Sequence, residues 1–205
     1  EEYWTSRIGD SAHIEFIGAA ATMIYREWEN AGLQDKMSRS TALLLIAAIL
    51  DNTLNLTSQN TTSEDIAVFN ELCKKEGVDE EWCGTYFSEV QDNVEADLKN
   101  ALFGDIKHLS ESRVLPLHIA QLCIWDAQRI FDRISEIRDW FATYKDGWMI
   151  NIIDMRHRHC YFICDDYEYQ KKIEKVFGVD FDDGVAKTSV SYLRKEIIKK
   201  AEFDN

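Results

Sequence analysis

Two groups of side chains in this sequence have the chemistry to hold a phosphate or a metal ion. Arg194 and Lys195 stand side by side near the C-terminus. A guanidinium grips phosphate oxygens through a two-toothed fork, and an ammonium adds a compact charge. Lys199 and Lys200 follow closely, so the plainer role for these cations is to meet the negative end of a terminal helix. Lys107, taken alone, reads as a surface lysine. The second group is His157, His159, Cys160 and Cys164, in the pattern His-Arg-His-Cys-x-x-x-Cys. Imidazole and thiolate are zinc ligands, but the spacing fits no familiar ligand pattern. We read it as a turn with its His and Arg in solvent, followed by a strand that buries both cysteines. Residues 18–22, Gly-Ala-Ala-Ala-Thr, open a helix whose N-terminus could hold an anion. No second glycine or following lysine completes a phosphate loop, so close packing of small residues is the better account. His13 and Glu15 flank Ile14 in strand-like alternation, with Glu15 supporting the start of the next helix. His118 lies in an apolar run and reads as a satisfied core histidine.

The elements that must position these groups follow from periodicity and punctuation. Met23, Ile24 and Trp28 recur at helical spacing, predicting a helix over 19–31 that stops at Gly32. Residues 39–49 are apolar nearly all round and predict a buried helix. The polar stretch 51–58 reads as a loop. Thr62, followed three residues later by Asp65, predicts a capped helix running to Glu76 and Gly77. Residues 79–103 are acidic and helical, and Gly104 punctuates them. Beyond a break between about 93 and 104 the pattern changes. Residues 114–125 read as a strand with Pro116 near its start, and a long amphipathic helix runs from Asp126 to Tyr144. Strands at 148–155 and 161–164 are joined by a basic turn. A helix over 167–177 closes at Gly178, and a short strand and a final helix or turn finish the chain. Strands alternating with helices predict an α/β fold.

Composition excludes several classes. The chain has 205 residues, of which 45% are hydrophobic, enough for one good core or two small ones. Its 23 Lys and Arg against 37 Asp and Glu give a net charge of −14. Such a surface repels phosphate backbones and disfavours nonspecific nucleic-acid binding, while a local basic pocket can still hold a small anion. No apolar run is long enough to span a membrane. Five cysteines without a C-x-x-C motif predict reduced thiols and a cytoplasmic setting. The start at Glu1 without a Met fits a fragment or a processed product. The apolar run 114–125 offers an edge for a homodimer.

Taken together, three stretches resemble the DHH phosphoesterase superfamily, in its branch of manganese-dependent (family II) inorganic pyrophosphatases and exopolyphosphatases. The first is Glu15-Phe16-Ile17-Gly18-Ala19-Ala20-Ala21-Thr22. The second is the apolar run 43–50 with Asp51-Asn52-Thr53, followed by Thr61-Thr62-Ser63-Glu64-Asp65. The third is Leu193-Arg194-Lys195, where the family carries Ser-Arg-Lys. Asp105-Ile106-Lys107 is similar to the family's Asp-x-Lys, and Ile119-Ala120-Gln121 and Ile152-Ile153-Asp154 fall in the expected order. The resemblance implies an α/β chain in two parts: a remnant of the DHH-type catalytic domain over 1–95, then a mixed-sheet, DHH-associated substrate-binding domain over 105–205. It makes Lys107, Arg194 and Lys195 a clamp for a small phosphorylated substrate, pyrophosphate or short polyphosphate. It also implies manganese or magnesium, held mostly by motifs that these residues lack. Aligned on Thr53, the family's Asp ligand falls on Asn52, with Asp51 one residue earlier. A carboxamide binds a hard dication more weakly than a carboxylate.

Two functions follow. One is a segment of a metal-dependent phosphoanhydride hydrolase that supplies the cationic clamp. The other is a non-catalytic binding or protein-interaction module of the same descent that has lost its metal ligands.

Overall fold

The sequence places its capping residues and its apolar stripes so that helices dominate the first third and a sheet the rest. A computed structural model describes residues 2–9 and 12–203. The chain divides into two compact units, 1–78 and 79–205. That division lies upstream of the compositional break at 93–104, because the helix that follows Asp79 contacts the sheet of the second unit.

The first unit is helical: α1 (Glu2–Ile8), α2 (Ala20–Asn30), α3 (Arg39–Asn52) and α4 (Ser63–Glu76). Ser38 caps α3 by accepting from Thr41 N. Thr62 and Asp65 form a reciprocal capping box at α4, which ends at Gly77 with φ 66°. The core takes Ala42, Leu45, Ile46, Ile49 and Leu50 from α3. Leu44, expected inside an all-round apolar helix, is 70% exposed. No strand forms over residues 12–17; Glu15 instead pairs with Arg26 on α2 at 2.6 Å.

A single carboxylate organises this unit. Asp65 is fully buried. It accepts from Gly18 N (2.9 Å), Ala19 N (3.2 Å), Thr22 Oγ1 (2.6 Å), Thr62 N (2.8 Å) and Thr62 Oγ1 (2.7 Å). It therefore caps the N-termini of α2 and α4 together, meeting the positive ends of both dipoles. Burial alone would raise its pKa, but hydrogen bonds from Thr22, Thr62 and Gly18 hold it below the ordinary carboxylate value. Gly18 is obligatory for steric reasons, since a Cβ there would lie 2.6 Å from Asp65 Oδ2 and 2.9 Å from Thr53 Cγ2.

The loop expected at 51–58 begins later than its polarity suggests. Helix α3 continues through Asn52, and then Leu54, Asn55 and Leu56 all take positive φ, at 51°, 56° and 61°. Left-handed backbone costs an L-residue about 1–2 kcal/mol, and Thr53 offsets it. Its hydroxyl donates to Ile49 O (2.6 Å) and accepts from Leu56 N (3.1 Å), while its carbonyl accepts from Thr57 N and Ser58 N.

The second unit opens with α5 (Glu80–Ala96) and α6 (Leu98–Gly104). A six-stranded sheet follows, in the order β1-β2-β3-β4-β6-β5, from β1 (Lys107–His108), β2 (His118–Ile124), β3 (Trp148–Asp154), β4 (His159–Ile163), β5 (Phe181–Asp182) and β6 (Val185–Lys187). Only β2 and β3 run parallel. Between them lie α7 (Gln128–Phe131) and α8 (Ile134–Phe141), and α9 (Tyr167–Phe177) and α10 (Arg194–Phe203) complete the chain. One face carries Ala120, Leu122, Ile124, Ile150 and Ile152 against α6, α7 and α8. All seven residues of β3 are buried, as expected for a strand covered on both faces.

Three expectations change here. Strand β2 starts at His118 rather than 114, because Ser112 Oγ accepts from Val114 N and Leu115 N and turns the chain, and Pro116 has no N–H for a ladder. The helix expected from Asp126 to Tyr144 is two, since Arg133 leaves helical geometry and donates to Glu95 O at 3.2 Å. The strand proposed as a dimer edge lies between β1 and β3, and its apolar residues are consumed by the chain's own core. No described helix is long and apolar enough to cross a membrane.

Asp65→Ala removes the acceptor for buried donors and should destabilise the first unit by about 3 kcal/mol or more, read from urea unfolding. The pH dependence has a definite sign. Asp65 titrates lower in the native state than its unfolded value of about 3.9, so its contribution is complete above that value and is lost as pH falls through the native one. The acid limb of the stability profile should flatten in Asp65→Asn.

Candidate functional site

The segment carrying Arg194 is fixed by polar side chains on the second sheet face. Gln121 and Asn151 are register partners on β2 and β3, so both project to the same side. Asn151 is fully buried and donates to Tyr192 O at 2.8 Å and to Gln121 Oε1 at 3.4 Å. Gln121 Oε1 accepts from Arg194 N at 2.6 Å. On β4, Cys160 Sγ accepts from Tyr192 N at 3.0 Å. Glu196 reaches back to Leu193 N at 2.7 Å, half of a capping box whose other half needs a hydroxyl that Leu193 lacks.

The guanidinium of Arg194 is engaged within the protein. Nη2 pairs with Asp105 Oδ1 at 2.7 Å, and Nη1 donates to Asp105 O and, at 3.3 Å, to Ile119 O. The side chain is 19% exposed. Lys107 is the Cα partner of Ile119 on β1. Lys107 is thus placed beside Ile119 by strand register and Arg194 by its guanidinium, and Lys195 follows as an exposed residue at the start of α10. A phosphate approaching Arg194 must compete with the Asp105 carboxylate.

The expected metal position is arranged differently. Asp51 and Asn52 occupy the exposed last turn of α3. Asn52 Nδ2 donates to Ala48 O at 2.9 Å in its own helix. The anion site considered at residues 18–22 is filled by Asp65, so the small residues there serve close approach.

Sequence reasoning missed a different group. Asp126 follows β2, and Asp154 ends β3, so both stand at the carboxyl ends of the parallel pair, where α/β folds place ligands. Asp154 is 2% exposed. Its Oδ2 accepts from Ala127 N at 3.1 Å and its Oδ1 from His157 N at 2.9 Å. His157 Nδ1 lies 3.0 Å from both carboxylate oxygens. Asp126 Oδ1 accepts from Gln128 N at 3.0 Å, and Arg156 Nη1 reaches Asp126 Oδ2 at 3.3 Å. Asp126, Asp154 and His157 can each bring one ligand atom within 4.8 Å of the others, an acidic group suited to a metal. They share a cleft of about 400 Å³ with Gln128, His159, Tyr161 and Lys187.

The histidine–cysteine pattern divides accordingly. Cys160 and Cys164 are buried as expected, and burial pushes both thiols up to about 12, against thiolate ligation. His157 is exposed, but His159 is not in solvent: it is 7% exposed, with Nδ1 on His157 O at 3.0 Å. The available signal was the aspartate at the end of each parallel strand, which spacing within one hairpin does not reveal. His118 is satisfied at the sheet's rim rather than in its core, between His108 Nδ1 (2.7 Å) and Asp146 Oδ1 (2.8 Å).

The sequence matches no protein-family model and no curated protein. Its structure is similar to that of a Methanococcus jannaschii protein assigned to the family II inorganic pyrophosphatases, with a TM-score of 0.68 and 16% identity over 92% of this chain. The chain spans 65% of that protein's length. An exopolyphosphatase-related protein from Bacteroides fragilis matches over 91% of this chain and 55% of its own, at 14% identity and a TM-score of 0.35. The mixed α/β architecture of this chain is the fold it shares with that Methanococcus jannaschii protein.

Proposed function

We propose that this chain is a segment of a metal-dependent phosphoanhydride hydrolase, supplying the cationic clamp for pyrophosphate or short polyphosphate. The observation that supports the reading is the placement of Lys107 beside Ile119 by strand register and of Arg194 by its guanidinium, in a fold shared with a protein assigned to the family II pyrophosphatases. Lys195 adds a further charge beside Arg194. In this reading Asp105 holds the guanidinium in place until substrate displaces its carboxylate, exchanging one charge-assisted pair for another. Cations so held can stabilise charge on phosphoryl oxygens without reorganising during the reaction. Manganese or magnesium would supply an activated water. At the family's ligand position this chain has only Asn52 and Asp51.

A second reading, a binding module that does not hydrolyse, is favoured by one specific observation. The Asn52 amide is turned onto its own helix and offers no carboxylate to a dication.

Calorimetry of the 205-residue chain with pyrophosphate and tripolyphosphate tests the clamp. Binding should weaken at least about tenfold in Arg194→Ala and in Lys107→Ala, the loss of one charge-assisted contact. No saturable binding, or binding indifferent to both changes, removes the clamp. Phosphate release with manganese then separates a hydrolase from a binding module. Asp105→Asn should tighten pyrophosphate binding, because it removes the competing anion. In Gln121→Ala the Arg194 amide should exchange its hydrogen faster, while core amides of β3 remain protected.

A further inference from the structure

We infer that Asp126, Asp154 and His157 form a binding site for a divalent transition-metal ion, with zinc the preferred occupant. The set shares no residue with the Asp51–Asn52 position or with the cationic segment at Arg194. Two carboxylates and an imidazole bring ligand atoms within 4.8 Å of one another, slightly wider than the roughly 4.4 Å that two ligands on one zinc ion span at most, so small side-chain movements would complete the set.

A cluster of acids alone would be an ordinary surface feature. A second observation comes from the other side of the cleft. His159 is 7% exposed, and its Nδ1 is committed to the His157 carbonyl at 3.0 Å. Its Nε2 is buried without a hydrogen-bond partner. A buried polar atom left unpaired is destabilising. His159 lines the same cleft as the two aspartates and His157, and Asp154, His157 and Lys187 are its charged or titratable neighbours. Because a carbonyl only accepts, Nδ1 carries the proton, and Nε2 of the neutral ring keeps a lone pair for an ion or for a water bound to one.

The donor types select the ion. Magnesium favours an all-oxygen octahedron, whereas imidazole nitrogen beside carboxylate suits zinc first and manganese less. Two cations oppose occupancy. Arg156 lies 3.3 Å from Asp126 Oδ2 and must share or release that carboxylate. Lys187, on the rim, raises the local potential. The backbone around the ligands is already set: Ala127 N and His157 N hold Asp154 in place, so an ion would find one of its carboxylates preorganised.

Isothermal titration of the full chain with zinc, manganese and magnesium ions in turn tests the site. One equivalent of zinc should bind, more tightly than manganese, with magnesium weakest. His157→Ala and Asp126→Asn should each weaken zinc binding at least about tenfold, and Arg156→Ala should leave it unchanged or tighten it. Absence of saturable zinc and manganese binding up to about 1 mM overturns the inference. So does zinc binding that both ligand variants retain, and magnesium binding as tight as zinc overturns the choice of ion. Circular dichroism establishes that the variants fold. If either does not, the thermal midpoint of the unaltered chain decides: a rise with zinc that magnesium does not reproduce supports the site, and no rise overturns it.

Discussion

The first unit depends on a buried negative charge that, among the described residues, has no cation paired with it. Asp65 is solvated by backbone amides and threonine hydroxyls from two helix starts. Dipoles take the place of a counterion, which keeps a desolvated carboxylate ionised. That requirement fixes the side chains around it: glycine at 18, where a Cβ would collide, and hydroxyls at Thr22 and Thr62. The second unit uses neutral versions of the same device. Gln121 and Asn151, inside an otherwise apolar sheet face, fix where the chain leaves Tyr192 and where α10 begins. In both units, buried polar groups set where helices start, and apolar packing supplies the bulk of the burial.

Local signals carried much of the architecture. The capping box at Thr62, the stop at Gly77, the helix Tyr167–Phe177 with its Gly178 cap, and the strand beginning at Trp148 were legible because each is written within a few residues. The failures have other causes. Helix α3 outlasts its apolar run because Thr53 bonds both back into the helix and forward into the turn, which polarity alone does not show. The helix from Asp126 to Tyr144 breaks where Arg133 bonds to α5. Short β1 and β5 have too little sequence to show a period, and only their partners define them.

The candidate site divides along the same line. Adjacent cations at 194 and 195 are visible in any reading, and the family resemblance is what proposes a phosphate clamp for them. That Arg194 would face Asp105 and the Ile119 carbonyl was not legible, because residues 89 and 75 positions apart meet only through the sheet. The Asp126–Asp154–His157 group was hidden for a similar reason. Its members lie just past one parallel strand, at the end of the next and in the turn after it, and sequence shows their separation but not their registry.

The continuous burial of β3 also bears on how the chain folds. Its seven residues include one charge, at the terminal Asp154, so the unpaired strand would be a sticky segment in the nascent protein. Its two neighbours reach it at very different speeds. Strand β4 begins at His159, close in sequence, and closes a local hairpin; β2 must wait for the crossover through α7 and α8. Pairing with β4 therefore protects one edge of β3 early, and the interval before β2 docks is when this protein is most exposed to aggregation.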